Sequence, residues 1–153
     1  MPVPARYVHT NLTARDWRAL ARFYCDVFGC VPRGPERDLS GAWLDRLTGL
    51  GGARLRGVHL ALPGGGKDGP TLEIFSYDSM PAGKSPAPNL PGFGHIAFAV
   101  DDVAAALEAV RRAGGNAVGD LVSTDVPGAG RLEVVYARDP EGNIIELQRW
   151  CAL

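Results

Sequence analysis

The sequence predicts an α+β fold of two successive modules, each opening on a strand, passing through a helix and returning as further strands. Three observations carry that expectation. Glycine and proline are abundant, 20 and 12 of 153 residues, which marks many turns and short elements. Residues 79–92, with Pro81, Pro86, Pro88 and Pro91, read as a linker between a first module at 1–78 and a second at 93–153. Setting His9 over His95 also aligns Asp16 with Asp102, Ala19 with Ala105 and Gly29 with Gly115, an offset of 86 that keeps strand, helix cap and helix stop in register.

In the first module, Arg6 to Leu12 alternates like a strand, and Thr13 with Asp16 three residues on resembles a capping box that opens a helix. Trp17, Leu20, Ala21, Tyr24, Val27 and Phe28 recur at three- and four-residue spacings, forming one buried stripe, until Gly29 supplies a left-handed stop. A short helix is expected over Leu39 to Leu47. Strands are expected over Arg56 to Leu62 and Thr71 to Tyr77, with Pro63-Gly64-Gly65-Gly66 turning between them. In the second module, Phe93 to Val100 reads as a strand, Asp101 as a helix cap, and Val103 to Ala113 as a helix stopped by Gly114 and Gly115. Strands follow near Ala117 to Val122, Leu132 to Tyr136 and Asn143 to Gln148.

Composition narrows the partners. At this length a chain buries roughly two-thirds of its unfolded surface, so a core forms without metal or disulfide staples and any metal would serve chemistry. With 16 Lys plus Arg against 17 Asp plus Glu there is no basic block for nucleic acid or an acidic membrane. The hydrophobic runs are too short to span a bilayer, and Met1-Pro2-Val3-Pro4 lacks the apolar core of a signal peptide, so a cytoplasmic protein is expected. Cys25, Cys30 and Cys151 are odd in number and lack Cys-x-x-Cys spacing, which argues against a disulfide framework.

Side chains alternate across a strand, so residues two apart share a face. In the first strand Val8, Thr10 and Leu12 point one way, and Tyr7, His9 and Asn11 the other. In Phe93 to Val100, Ile96, Phe98 and Val100 form the apolar face, leaving His95 with Ala97 and Ala99. Leu72 and Ile74 oppose Glu73, Phe75 and Tyr77; Ile145 and Leu147 oppose Ile144, Glu146 and Gln148. Each module thus begins with a strand histidine and ends with a strand glutamate. One such residue alone is usually a solvated side chain on the wet face of a sheet. The recurrence of both, with each glutamate flanked by apolar neighbours, asks for a compensating cation, because an uncompensated buried carboxylate is costly. Imidazole and carboxylate donors suit Zn, Ni, Co, Mn or Fe(II), and a four-ligand site leaves positions open for water or substrate.

The stretches Gly94-His95-Ile96-Ala97-Phe98-Ala99-Val100-Asp101-Asp102-Val103 and Asp139-Pro140-Glu141-Gly142-Asn143-Ile144-Ile145-Glu146-Leu147, with Phe23-Tyr24, resemble the vicinal oxygen chelate superfamily. That superfamily includes glyoxalase I, methylmalonyl-CoA epimerase, extradiol dioxygenases, fosfomycin-resistance transferases and bleomycin-binding proteins. The resemblance implies two βαβββ modules whose curved mixed sheet surrounds a metal-binding cleft. It implies His9, Glu73, His95 and Glu146 as the divalent-metal ligands. It further implies a homodimer and a small-molecule substrate.

A carboxylate at Glu73 favours the glyoxalase-like lyase and isomerase branch, in which a metal-stabilised enediolate forms from a small carbonyl compound. Glu146 is expected to be the base, with Glu73 the second candidate. Two alternatives stay open: an Fe(II) extradiol-type dioxygenase using His9, His95 and Glu146, and a non-catalytic drug-binding resistance protein using Trp43, Phe75 and Tyr77. In bacterial glyoxalases an arginine and an asparagine hold glutathione where this chain has Thr13 and Tyr77, so the glutathione hemithioacetal is not the expected substrate. The histidine-to-glutamate spacing is 64 residues in the first module and 51 in the second. The extra segment, Gly34 to Arg56 with Trp43, is a candidate lining for a less polar pocket, although packing on an amphipathic helix is the plainer expectation for Trp43. Asn11 and His59 complete the pocket candidates, His59 because Val58, Leu60 and Leu62 occupy the other face of its strand.

Overall fold

A computed structural model describes residues 1–152. The chain divides into two compact units, residues 1–82 and the remainder from Gly83 onward. The first contains β1 (His9–Thr13), α1 (Trp17–Phe28), β2 (Val31–Ser40), α2 (Ala42–Thr48), β3 (Arg54–Ala61) and β4 (Thr71–Tyr77). The second contains β5 (Ile96–Ala99), α3 (Val103–Arg112), β6 (Asn116–Ala117), β7 (Val122–Val126), β8 (Gly130–Arg138) and β9 (Ile144–Cys151). No helix among the described residues is long and apolar enough to cross a membrane.

Both sheets are mixed and share one wiring. In the first the order is β1-β4-β3-β2, and in the second β5-β9-β8-β6, with β7 also paired to β8. In each, the opening strand runs parallel to the closing one, while the intervening hairpins are antiparallel. A parallel pair needs a long crossover, and here the whole module supplies it.

Both opening strands are shorter than their alternation suggests, because pairing rather than propensity sets their starts. β1 begins where β4 offers a partner, His9 facing Thr71, and Pro70 just before has no N–H to extend the ladder. β5 begins at Ile96 opposite Ile145, so His95 sits one residue ahead of the strand. Strand β2 is unannounced by alternation, since it carries Pro32, Gly34 and Pro35. It is tolerated as an edge strand that, among the described residues, pairs only with β3, with a register shift between Arg33 and Arg37.

The caps correct two sequence expectations. Asp16 itself, not Thr13, caps α1, its carboxylate accepting from the Ala19 N–H at 3.0 Å. Thr13 instead belongs to β1 and donates its hydroxyl to Asn11. Asp102, not Asp101, caps α3 and accepts from the Ala105 N–H at 2.8 Å. These are the positions matched by the offset of 86, so comparing the modules located the caps better than local capping motifs did.

One face of each sheet is dry. Val58, Leu60, Leu72 and Ile74 are buried on the face that receives Leu20, Phe23 and Tyr24 of α1. In the second unit Val135, Ala137, Ile145 and Leu147 meet Val103, Leu107 and Val110 of α3. Cys30 is buried, and burial pushes its thiol up to about 11, so it behaves as a small apolar group; all three cysteines are free.

The insertion forms α2, which lies against the opposite face of the first sheet. There Leu44, Ala53, Leu55 and Phe75 make a buried cluster, with Leu39 and Tyr77 packed on it. Gly57 permits this arrangement: a Cβ at that position would sit 2.4 Å from the Phe75 ring and 2.0 Å from the Ile74 carbonyl oxygen. The helix begins three residues later than expected, after Gly41 at φ 111°, and ends at Gly49. This phase turns Leu44 inward and leaves Trp43 48% exposed, so the simple-packing expectation for Trp43 is not met.

Candidate metal centre

Strand register assembles the site. Glu73 on β4 is level with Asn11 on β1 and with His59 on β3, and residues level with one another share a face. His9 lies two residues before Asn11 and therefore on the same face. The three side chains close on the glutamate. His59 Nε2 is 2.8 Å from Glu73 Oε2, His9 Nε2 is 3.7 Å from Oε1, and Asn11 donates its amide to Oε1 at 2.8 Å. One donor atom from each of His9, His59 and Glu73 lies within 4.8 Å of the others.

The second unit repeats the pattern with one change. Glu146 on β9 is level with Ala97 on β5 and Tyr136 on β8. His95, two residues before Ala97, places Nε2 2.8 Å from Glu146 Oε2, and its ring lies against Tyr136 with centroids 4.8 Å apart. Tyr136 thus occupies the register position that His59 holds in the first unit, and sequence reading passed it over because it ended an apolar strand. The turn leading into β9 is held by buried Asp139, whose carboxylate accepts from the backbone N–H groups of Glu141 and Asn143 and from the Asn143 side chain. The Asp139-to-Asn143 stretch of the sequence thereby fixes the entry of the strand that carries Glu146.

The donor set fits a divalent ion by chemistry and by spacing. Donors bound at about 2.0–2.2 Å to a common ion stand roughly 3–3.6 Å apart, and the two His–Glu73 separations, 2.8 and 3.7 Å, lie just below and just above that range. The neighbouring groups match as well. Thr71 Oγ1 lies 3.1 Å from His59 Nδ1, and a hydroxyl there can accept the Nδ1 proton in the tautomer that leaves the Nε2 lone pair to a metal ion. Asn11 steadies the carboxylate.

The His59 imidazole is held below its ordinary value, first by burial; Glu73 opposes that shift, and Arg37 and His9 reinforce it. A depressed folded-state value means that the unfolded chain takes up this proton first as pH falls. The stability associated with neutral His59 is therefore present above about pH 6.5 and is lost on acidification. We expect a proton NMR titration of the His59 ring to give a midpoint below 6.5, and His59→Gln to flatten the acid-side loss of stability. A midpoint at or above 6.5 would contradict this.

The remaining pocket candidates sit apart in character. Phe75 is 8% exposed and Tyr77 packs beside it, so both serve the α2 cluster, although the Phe75 ring stands edge-on to His59 at 6.0 Å. Trp43, on α2, is about half exposed.

The fold is that of a two-module α+β protein in which each sheet carries a histidine–glutamate pair on the face away from its long helix. The chain belongs to the Glyoxalase/Bleomycin resistance protein/Dioxygenase superfamily, whose family model matches residues 6–147. A stretch of 55 residues is 42% identical to a Vibrio parahaemolyticus protein described as "Probable lactoylglutathione lyase"; it spans 36% of this chain and 38% of that protein. Among solved structures, a glyoxalase family protein from Bacillus cereus is similar over 99% of this chain and 97% of its own, with a TM-score of 0.81 at 18% identity. A glyoxalase I mutant from Zea mays is similar over 94% of this chain and 44% of its own, with a TM-score of 0.62 at 22% identity.

Proposed function

We propose that this chain is a metal-dependent lyase or isomerase acting on a small carbonyl compound by proton removal at the carbon next to the carbonyl. One observation carries the reading: each module brings a histidine Nε2 and a glutamate carboxylate together on the same face of its sheet. In this reading His9, Glu73, His95 and Glu146 are the ligands, as the family resemblance implies. A bound divalent ion would supply Lewis acidity to the substrate oxygen. The chain's own groups do the rest. Glu146, oriented by His95, takes the proton, with Glu73 the second candidate. Asn11 holds the Glu73 carboxylate in its binding orientation, and His59, in contact with Thr71, lies beside it. Thr13 and Tyr77, in place of the arginine and asparagine of bacterial glyoxalases, support a substrate other than the glutathione hemithioacetal. The resemblance also supports a homodimer as the working form.

The test is metal analysis of protein purified without an affinity tag, followed by Glu146→Gln. One ion per chain, lost on changing either histidine–glutamate pair, and a turnover reduced about 10²–10⁴-fold in Glu146→Gln are expected. Unchanged metal content with unchanged turnover would overturn the assignment. A second reading has its own observation: His9, His59 and Glu73 form a two-histidine, one-carboxylate set within one module, the donor type of Fe(II) oxygenases. Oxygen uptake with catechols under reducing conditions separates the two.

A further inference from the structure

Beside the His9/His59/Glu73 cluster, the first unit contains a cavity of about 370 Å³ whose wall includes His59 and Thr71. Four cationic side chains line it, Arg6, Arg33, Arg37 and Lys67, against one carboxylate, Asp68. Four arginines elsewhere are neutralised: Arg18, Arg54, Arg56 and Arg131 each lie within 2.8 Å of a carboxylate oxygen. Around the cavity the pattern differs. Among the described residues none of the four cations forms an ion pair. Arg33 donates to the Gly69 and Gly66 carbonyls at 2.8 and 3.3 Å, Arg37 to the Pro35 carbonyl, and Arg6 to the Asp68 carbonyl at 3.5 Å.

Those backbone bonds aim the guanidinium groups without cancelling their charge. Arg33 and Arg37 are moreover half-buried, and a partly desolvated cation without a counter-charge is costly unless an anion arrives to share the site. Their position follows from register, Arg33 being level with His59 and Arg37 with Gly57, so β2 delivers both to the face that carries Glu73. Planar guanidinium forks match the paired oxygens of phosphate and carboxylate groups.

We propose that this cavity is a binding site for a doubly charged oxyanion, a phosphate or a dicarboxylate. Resting on the reading of the cluster as a metal centre, the substrate class is then a carbonyl compound that carries such a group, anchored by Arg33, Arg37 and Lys67 with its reacting end at His59 and Glu73. The excess of cationic over anionic side chains favours a ligand with two negative charges over one with a single charge.

The experiment is calorimetric titration of the whole chain, treated with chelator and held at constant ionic strength, with inorganic phosphate, malonate and acetate. Phosphate or malonate is expected to bind at least about tenfold more tightly than acetate, and the stronger of the two identifies the oxyanion type. Lys67→Gln and Arg37→Gln should each weaken that binding several-fold, and Arg18→Gln, whose arginine is already paired with Glu36, should not. Lys67 stands in the exposed turn between β3 and β4, so Lys67→Gln tests the site even should Arg37→Gln disturb β2. Equal binding of all three anions, or wild-type binding in Lys67→Gln, overturns the proposal. A parallel zinc titration keeps the two readings apart: selective anion binding without zinc binding refutes the metal centre alone, and zinc binding without anion selectivity refutes the cavity alone.

Discussion

Glu73→Gln is expected to weaken zinc binding at least about 100-fold while leaving the protein folded. The substitution keeps the shape of the side chain and an oxygen for the Asn11 amide, so the local hydrogen bonding survives with little change in stability. It removes the negative charge that lies within 3.7 Å of both imidazoles, and an amide is a poor ligand for a divalent ion of this type. Loss of a supporting group typically costs 10–100-fold in metal affinity, and loss of the ligand itself costs more. Asn11→Ala therefore provides the internal scale, with an expected loss of about 10–100-fold. Calorimetric zinc titration near pH 7.5, where His59 is neutral, measures both. Zinc affinity within a few-fold of wild type in Glu73→Gln would remove the first-module cluster from the metal centre.

Ile74→Ala is expected to cost about 2–5 kcal/mol, a large share of the 5–15 kcal/mol that a domain of this size has in hand. Ile74 is fully buried on a central strand, level with Val58 and facing α1. Truncation removes apolar contact and leaves a space that the sheet and helix cannot both close. Ile74→Val should cost only about 0.5–1.5 kcal/mol. Urea denaturation followed by far-ultraviolet circular dichroism gives both values. A loss under about 1 kcal/mol in Ile74→Ala would mean that this face of β4 is not the packed one. The metal reading would fall with it, since a slip of one residue exchanges the faces and carries Glu73 inside.

The legible parts of the molecule were those governed by local periodicity. The α1 stripe from Trp17 and the span of β4 from Thr71 to Tyr77 follow directly from three-four and two-residue spacings. Strand β2 did not follow, because its prolines and glycine oppose strand propensity and only the ladder to β3 overrides them. Trp43 was misjudged for a related reason: in a helix of two turns a small shift in the start exchanges which residue faces the sheet, and Gly41 set that start.

The sequence by itself determined which residues share a face: His9 with Asn11, and Glu73 opposite Leu72 and Ile74, since alternation along one strand is a property of the chain. It also marked the paired histidine and glutamate of each module. Only the tertiary structure decided which faces meet at the same level. His59 joins Glu73, and Arg33 and Arg37 come to the same side, because the β2–β3 and β3–β4 ladders hold a particular register. That register is set by hydrogen bonds between residues distant in sequence and by the turn from Leu62 to Pro70, and no local pattern encodes it.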